Sequence, residues 1–158
     1  MTLAEDLSKV LLKNKLTISA AESCTGGLLG SIITSVPGSS GYFLGGAVTY
    51  SNGSKEDLLG VPKAVMIGNG AVSEETAVEM AVGVRKMFGS DLALSITGIA
   101  GPEGGTASKP VGTVWIGVST GDGTFARRFG FSGSRDEIRL SAAEAAIKLL
   151  IEATERIH

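Results

Sequence analysis

The stretch Ala20-Ala21-Glu22-Ser23-Cys24-Thr25-Gly26-Gly27 joins two segments of different periodicity, and this junction indicates the fold class. Before it, residues 16–21 are rich in β-branched and small side chains, which favours a β-strand. After it, apolar side chains recur at helical spacing, which predicts a helix over about residues 25–36. A strand, a tight turn and a helix therefore follow one another, and open α/β sheets bind their ligands beside turns of this kind.

The turn itself supports two interpretations. A helix start carries a partial positive charge that suits a phosphate or an oxyanion, and Gly26 and Gly27 allow a ligand to approach the backbone closely. On this interpretation, Ser23, Thr25 and the N–H groups of the two glycines belong to a functional site. However, serine and threonine are also ordinary helix caps and glycine is ordinary in turns. The octet alone leaves both interpretations open.

The rest of the chain alternates between helical and strand patterns. Helices are predicted over about residues 3–14, over the short segment 54–59, over 73–88 and from Ser134 onward. Strands are predicted over residues 42–50, 92–97, 112–120 and 124–131, and a glycine-rich loop follows the second of them at 98–105. This order predicts a layered α/β fold around a largely open sheet, and 158 residues suit a single domain spanning 1–158.

Composition narrows the classes of partner. The formal net charge is −2 and no run is rich in lysine and arginine, which disfavours binding to nucleic acid. No signal-peptide pattern or apolar run of membrane-spanning length is present, so we expect a soluble, cytoplasmic protein with no membrane partner. The glycine-rich, apolar composition and the predicted strand edges are compatible with a homo-oligomer of undefined size.

Few side chains remain for nucleophilic or metal chemistry. Cys24 is the only cysteine, which argues against a thiolate metal site. His158 is the only histidine, which argues against a histidine-rich zinc site and a histidine triad unless the tail or a partner chain supplies the imidazole. The available nucleophile is Ser23, and its candidate bases are Lys55, Glu22 and Tyr50. Lowering the pKa of a lysine from about 10.4 to about 7 or 8 costs roughly 3 to 5 kcal/mol, which requires burial or a nearby cation. The sequence alone favours a solvated surface lysine.

Two groups of residues are candidates for binding an anion. The loop after the strand 92–97 can present a hydroxyl and backbone amides, but it lacks the Gly-Lys-Ser/Thr of a nucleoside triphosphate loop. Two arginines lie four residues apart near the start of the last helix, where they can grip a phosphate or pair with a neighbouring acid. The candidates are Thr97, Gly98 and Gly101 in the loop and Arg135 and Arg139 in the helix, with Asp136 or Glu103 as the alternative acidic partners.

Five blocks of sequence, taken in order, carry a resemblance that covers nearly the whole chain. They are residues 21–27, residues 49–52 with Lys55, residues 70–73, residues 95–102 and residues 109–114. Together they resemble the C-terminal domain family of the competence/damage-inducible protein CinA. The resemblance implies a three-layer α/β/α sandwich around a mixed sheet. It also implies an amidohydrolase of pyridine nucleotide salvage that converts nicotinamide mononucleotide to nicotinic acid mononucleotide and ammonia.

The resemblance also implies roles for individual residues. Ser23 would be the nucleophile, Lys55 its activating base and Tyr50 an assisting group, and no metal or redox cofactor would be needed. Thr97 would line the site, and Arg135, or Arg139 in its place, would hold the substrate phosphate together with the second glycine-rich loop. Backbone N–H groups near Thr25, Gly26 and Gly27 would hold the oxyanion. Two other hypotheses remain, a non-catalytic nucleotide-binding or interaction module and hydrolysis of another small amide.

Overall fold

The computed structural model describes residues 1–157, so His158 lies outside the described residues. Six α-helices and five strands follow one another along the described chain. The helices are α1 Leu3–Asn14, α2 Leu28–Thr34, α3 Asn52–Leu59, α4 Lys63–Asn69, α5 Glu74–Phe88 and α6 Arg135–Ile157. The strands are β1 Ile18–Glu22, β2 Phe43–Val48, β3 Leu92–Gly98, β4 Thr113–Thr120 and β5 Gly123–Gly130.

The five strands form one mixed sheet in the order β2-β1-β3-β4-β5. Strand β1 is parallel to both neighbours, with Ser19 opposite Gly45 on one side and Ala93 on the other. Strands β4 and β5 extend the sheet as an antiparallel hairpin. The chain leaves β1 toward β2 and later returns to the other side of β1 as β3, so the carboxyl ends of β1 and β3 meet where the strand order reverses. Sheets of this kind bind ligands at that point.

Helices cover both faces of the sheet. Helices α1, α2 and α6 pack together on one face over the larger apolar core, and α5, flanked by α3 and α4, covers the other. The expected three-layer α/β/α sandwich around a mixed sheet is confirmed. Consecutive residues of β1 face opposite sides of the sheet, so Ala20 packs in the core on the α6 side and Ala21 in the core on the α5 side.

Local capping explains most helix boundaries. Ser134 and Glu137 form a reciprocal capping box at the start of α6, in which Ser134 N–H donates to Glu137 Oε1 at 3.0 Å and Glu137 N–H donates to Ser134 Oγ at 3.2 Å. Helix α5 follows Ser73, whose hydroxyl accepts from Thr76 N–H at 3.1 Å. Both starts agree with the sequence prediction.

Two helix starts differ from the sequence prediction, and one helix was not predicted. Helix α2 starts at Leu28 rather than near residue 25, because Gly26 and Gly27 take φ angles of 56° and 106° that belong to a turn. Helix α3 starts at Asn52, because the Ser51 hydroxyl caps it by accepting from Ser54 N–H at 3.1 Å. Helix α4 was not predicted, since seven residues are too few to show a clear period.

Within residues 1–157, none of the helices combines the length and the apolar composition needed to cross a lipid bilayer.

Candidate active site

A serine and a lysine meet at the carboxyl end of β1. Ser23 follows the last residue of β1, and its N–H donates to Ile96 O in β3 at 2.9 Å, so the two parallel strands fix its position. Lys55 lies in the first turn of α3, and its Nζ lies 3.0 Å from Ser23 Oγ. The exposed fractions are 9% for Ser23 and 1% for Lys55. The interpretation of Lys55 as a solvated surface lysine is therefore wrong.

Backbone carbonyls hold the Lys55 amine. Besides Ser23 Oγ, Nζ contacts Thr49 O at 2.7 Å and Tyr50 O at 3.4 Å, both on the segment between β2 and α3. Within residues 1–157 no carboxylate forms an ion pair with this amine, and burial lowers the pKa of Lys55 below its usual value of 10.5. A neutral amine in this position donates its two N–H groups to the carbonyls and turns its lone pair to Ser23. Lys55 can then accept the serine proton.

The neighbouring thiol is poorly suited to be the nucleophile. Cys24 is buried in the core on the α6 side of the sheet, and it is 6% exposed. Burial raises the pKa of the Cys24 thiol from 9.0 to about 11. The thiol is therefore protonated near neutral pH, and only a thiolate is a strong nucleophile.

A cavity of about 280 Å³ opens beside the Ser23–Lys55 pair. Its walls come from the turn after β1, the start of α3, residues 71–72, the end of β3 with the following loop, and the first residue of α6. It brings together seven of the residues that the sequence singled out, namely Ser23, Tyr50, Lys55, Thr97, Gly98, Gly101 and Arg135. The cavity lies at the switch point of the sheet, as expected for an open α/β fold.

Arg135 joins two walls of the cavity at its open rim. Its Nη1 donates to Gly101 O at 2.7 Å and its Nη2 donates to the Tyr50 hydroxyl at 2.9 Å, in place of the alternative pairing with a neighbouring acid. The Tyr50 residue is 60% exposed, so this pair faces solvent. A guanidinium at the mouth of the cavity provides the planar, multiple donors that suit a phosphate.

Four other candidates lie outside the walls of the cavity, namely Thr25, Gly26, Gly27 and Arg139. The N–H groups at the start of α2 are not free to bind an anion, because the buried Glu22 carboxylate accepts from Gly27 N–H at 3.2 Å, Leu29 N–H at 2.8 Å and Gly30 N–H at 3.0 Å. Glu22, one of the candidate bases, is thus engaged as the cap of α2.

Sequence reasoning missed part of the cavity wall. Ala71 and Val72 line it although neither carries reactive chemistry, and Thr97 Oγ1 donates to Ala71 O at 2.8 Å. Asn52 and Glu103 also line it. The sequence had indicated Asn52 only as part of the block 49–52, and Glu103 only as an acidic partner for an arginine. The resemblance of residues 70–73 to a family block was the one signal for the first two, because small apolar side chains show no pattern of their own.

The fold and the cavity define an α/β protein whose candidate site lies at the carboxyl edge of a mixed sheet. A family model described as the CinA C-terminal domain matches residues 1–154, and the chain belongs to this family. A CinA-like protein from Geotalea uraniireducens is 56% identical over 134 residues, which cover 85% of this chain and 32% of that protein. The chain spans about a third of the length of the curated relatives it matches.

Solved structures show the same fold. The competence/damage inducible protein CihA from Agrobacterium tumefaciens superposes with a TM-score of 0.90 at 37% identity, covering 98% of this chain and 97% of that one. The competence damage-inducible protein A (ComA) from Klebsiella pneumoniae superposes with a TM-score of 0.92 at 31% identity, covering 95% and 93%.

Proposed function

We propose that the chain is a nicotinamide mononucleotide deamidase, which hydrolyses the carboxamide of this nucleotide to nicotinic acid mononucleotide and ammonia. The observation that carries the proposal is the 3.0 Å contact between Ser23 Oγ and Lys55 Nζ beside a cavity. Membership of the CinA family supports it, because the sequence blocks that mark the family include both residues. Such an enzyme serves pyridine nucleotide salvage.

The first half of the reaction uses the pair directly. Ser23 Oγ attacks the amide carbon while the neutral Lys55 amine takes its proton, and a bond forms between Oγ and that carbon. The resulting ammonium of Lys55 then gives the proton to the amide nitrogen, which leaves as ammonia when the C–N bond breaks. The product of this half is an acyl-enzyme. In the second half, Lys55 takes a proton from water, whose oxygen attacks the ester carbon. The bond between that carbon and Oγ then breaks, Lys55 returns the proton to Ser23 Oγ, and the acid leaves.

Two backbone N–H groups are candidates for stabilising the oxyanion. Among the hydrogen bonds of residues 1–157, none uses the N–H of Cys24 or of Thr25, whereas Gly26 N–H donates to Ser23 O at 3.1 Å and Gly27 N–H to Glu22. Cys24 directly follows the nucleophile and lines the cavity. A donor in such a position contributes roughly 2.7 to 4 kcal/mol to the stability of the transition state.

The rim of the cavity suits the nucleotide phosphate. Arg135 presents its guanidinium at the open side, next to the glycine-rich loop that includes Gly98 and Gly101. Thr97 directly precedes this loop in the chain and also lines the cavity. The carboxamide then lies at the buried end of the cavity and the phosphate at the solvent-exposed end.

The test is release of ammonia from nicotinamide mononucleotide by the purified protein, with nicotinamide and glutamine as control amides. We expect release from the nucleotide alone, and loss of release in Ser23→Ala with nucleotide binding retained in calorimetry. Binding without release in the wild type would favour a non-catalytic nucleotide-binding module. Release from a control amide in preference to the nucleotide would favour another amide substrate.

A further inference from the structure

We propose that Arg139 is a positioning residue, which aims the N–H groups of the turn after Ser23 without contacting the substrate. This inference rests on the proposed function, since it assigns those N–H groups to the oxyanion. It differs from the expectation that Arg139 binds the substrate phosphate. The grounds are the contacts of the side chain and the geometry of the peptide group.

The Arg139 guanidinium is held by the backbone of the turn. Its Nε donates to Cys24 O at 3.1 Å and its Nη2 donates to Thr25 O at 2.8 Å. These two contacts link α6 to residues more than one hundred positions earlier in the chain, and Arg139 is half-buried by them. A Cβ added at Gly26 would lie 3.3 Å from Arg139 Nη2, so the guanidinium packs closely on the turn.

A trans peptide group points its C=O and its N–H in opposite directions, and the peptide bonds of this turn are trans. The carbonyl of Cys24 belongs to the same peptide group as the N–H of Thr25. Because Arg139 Nε holds that carbonyl, the Thr25 N–H is aimed away from Arg139. Arg139 Nη2 holds the carbonyl of Thr25, whose peptide group carries the Gly26 N–H. That N–H in turn holds the carbonyl of Ser23 and thereby sets the direction of the Cys24 N–H.

Two successive N–H groups, those of Cys24 and Thr25, therefore point away from the carbonyls of Ser23 and Cys24, which are held by hydrogen bonds. Cys24 and Thr25 are 6% and 0% exposed, and neither N–H has a hydrogen-bond partner within residues 1–157. Buried backbone N–H groups are almost always paired in folded proteins. Of these two, the Cys24 N–H belongs to the residue that directly follows Ser23 and lines the cavity, so it fits a role in binding the oxyanion.

Arg135 serves as the contrasting residue on the same helix. It lines the cavity and contacts the exposed hydroxyl of Tyr50, whereas Arg139 does not line the cavity and contacts two backbone carbonyls of the turn. If the inference is correct, removal of Arg139 affects turnover and removal of Arg135 affects binding. The two arginines can therefore be separated by steady-state kinetics.

The experiment compares Arg139→Met, Arg139→Lys, Arg135→Met and the surface control Arg127→Met for ammonia release from nicotinamide mononucleotide. We expect Arg139→Met to lower kcat about 10- to 100-fold with KM within about twofold, less than complete loss because the donor is misaimed rather than removed. Arg139→Lys keeps the charge and one donor group, so it should recover part of kcat. Arg135→Met should mainly raise KM, and Arg127→Met should match the wild type.

A second readout needs no nucleotide. A fluorophosphonate forms a bond between Ser23 Oγ and phosphorus and releases fluoride, and intact-protein mass spectrometry gives the labelling rate. We expect about tenfold slower labelling in Arg139→Met, with partial recovery in Arg139→Lys. A wild type that is labelled but releases no ammonia would refute the proposed substrate while leaving the role of Arg139 measurable by labelling.

Three outcomes would overturn the inference. A rise in KM with unchanged kcat in Arg139→Met would make Arg139 a substrate contact. Wild-type kinetics and wild-type labelling in that variant would show that Arg139 does not position the turn. Absence of labelling in the wild type would remove the activated serine on which the inference depends. If Arg139→Met fails to fold, the same comparison of kcat, KM and labelling in Arg139→Lys decides.

Discussion

Replacing Lys55 by Met tests the charge state of the buried amine. Met fills a similar volume but has no proton to lose, so the variant isolates the titration of Lys55. Burial lowers the pKa of Lys55 in the folded protein below 10.5. Between its folded and its unfolded pKa, Lys55 holds one more proton in the unfolded chain than in the folded one. Its contribution to the stability of the wild type therefore rises with pH by up to about 1.36 kcal/mol per pH unit.

The variant separates this titration from the loss of hydrogen bonds. Lys55→Met leaves the carbonyls of Thr49 and Tyr50 without their amine donor, at a cost of about 1 to 3 kcal/mol that does not depend on pH. It also removes the cost of burying the cation. That cost is complete below the folded pKa and vanishes above 10.5. The stability of Lys55→Met relative to that of the wild type should therefore be highest at low pH and should fall as the pH rises through this window.

The assay is urea unfolding at half-unit steps from pH 6 to 10.5, with ammonia release measured on the same samples. Lys63→Met is the matched control, because it makes the same substitution at an exposed lysine. Ammonia release by Lys55→Met should fall by about 10²- to 10⁴-fold, as expected for loss of a general base. A stability difference that is constant over the whole pH range, or near-wild-type turnover in the folded variant, would refute the reasoning.

Three further substitutions test neighbouring features. Cys24→Ala should keep its activity. Relative to the wild type, it should gain roughly 3 kcal/mol of stability in urea unfolding as the pH rises from 9.0 to about 11, because the raised pKa of the buried thiol opposes folding in that range. Loss of activity in a folded Cys24→Ala would restore a thiol mechanism. Glu22→Gln should destabilise the protein by about 2 kcal/mol, because a charged cap of three N–H groups becomes neutral. An unchanged urea midpoint would contradict that role. Gly83→Ala should destabilise the protein by about 1 to 3 kcal/mol despite the better helix propensity of alanine, because the added Cβ would collide with the carbonyl of Leu59. A higher melting temperature would contradict this packing.

Local patterns predicted most of the elements. The apolar stripe and caps of α5, the capping box of α6 and the glycine-rich turn after β1 depend on residues within a few positions of one another. For this reason their types and most boundaries were accessible from the sequence. Helix α4 was missed because seven residues hold less than two full periods of the helix.

The candidate nucleophile was also accessible from the sequence, by elimination. With one cysteine and a single histidine at position 158, serine remained as the natural candidate. The location of Ser23 between a strand pattern and a helix pattern then predicted a turn at the carboxyl edge of the sheet. Both conclusions needed only composition and the nearest neighbours in the chain.

Only the tertiary structure decided the environment of the charged side chains. Nothing in the residues around Lys55 shows that α3 packs it under the sheet edge against Ser23, 32 positions away. Arg135 and Arg139 lie one turn apart on the same helix, yet one faces the cavity rim and the other the back of the turn. The pKa and the partners of such groups depend on desolvation and on contacts between distant segments, which no local pattern encodes. The chain by itself determined which chemical groups are present, and the packing of α3 and α6 against the sheet determined which of them meet.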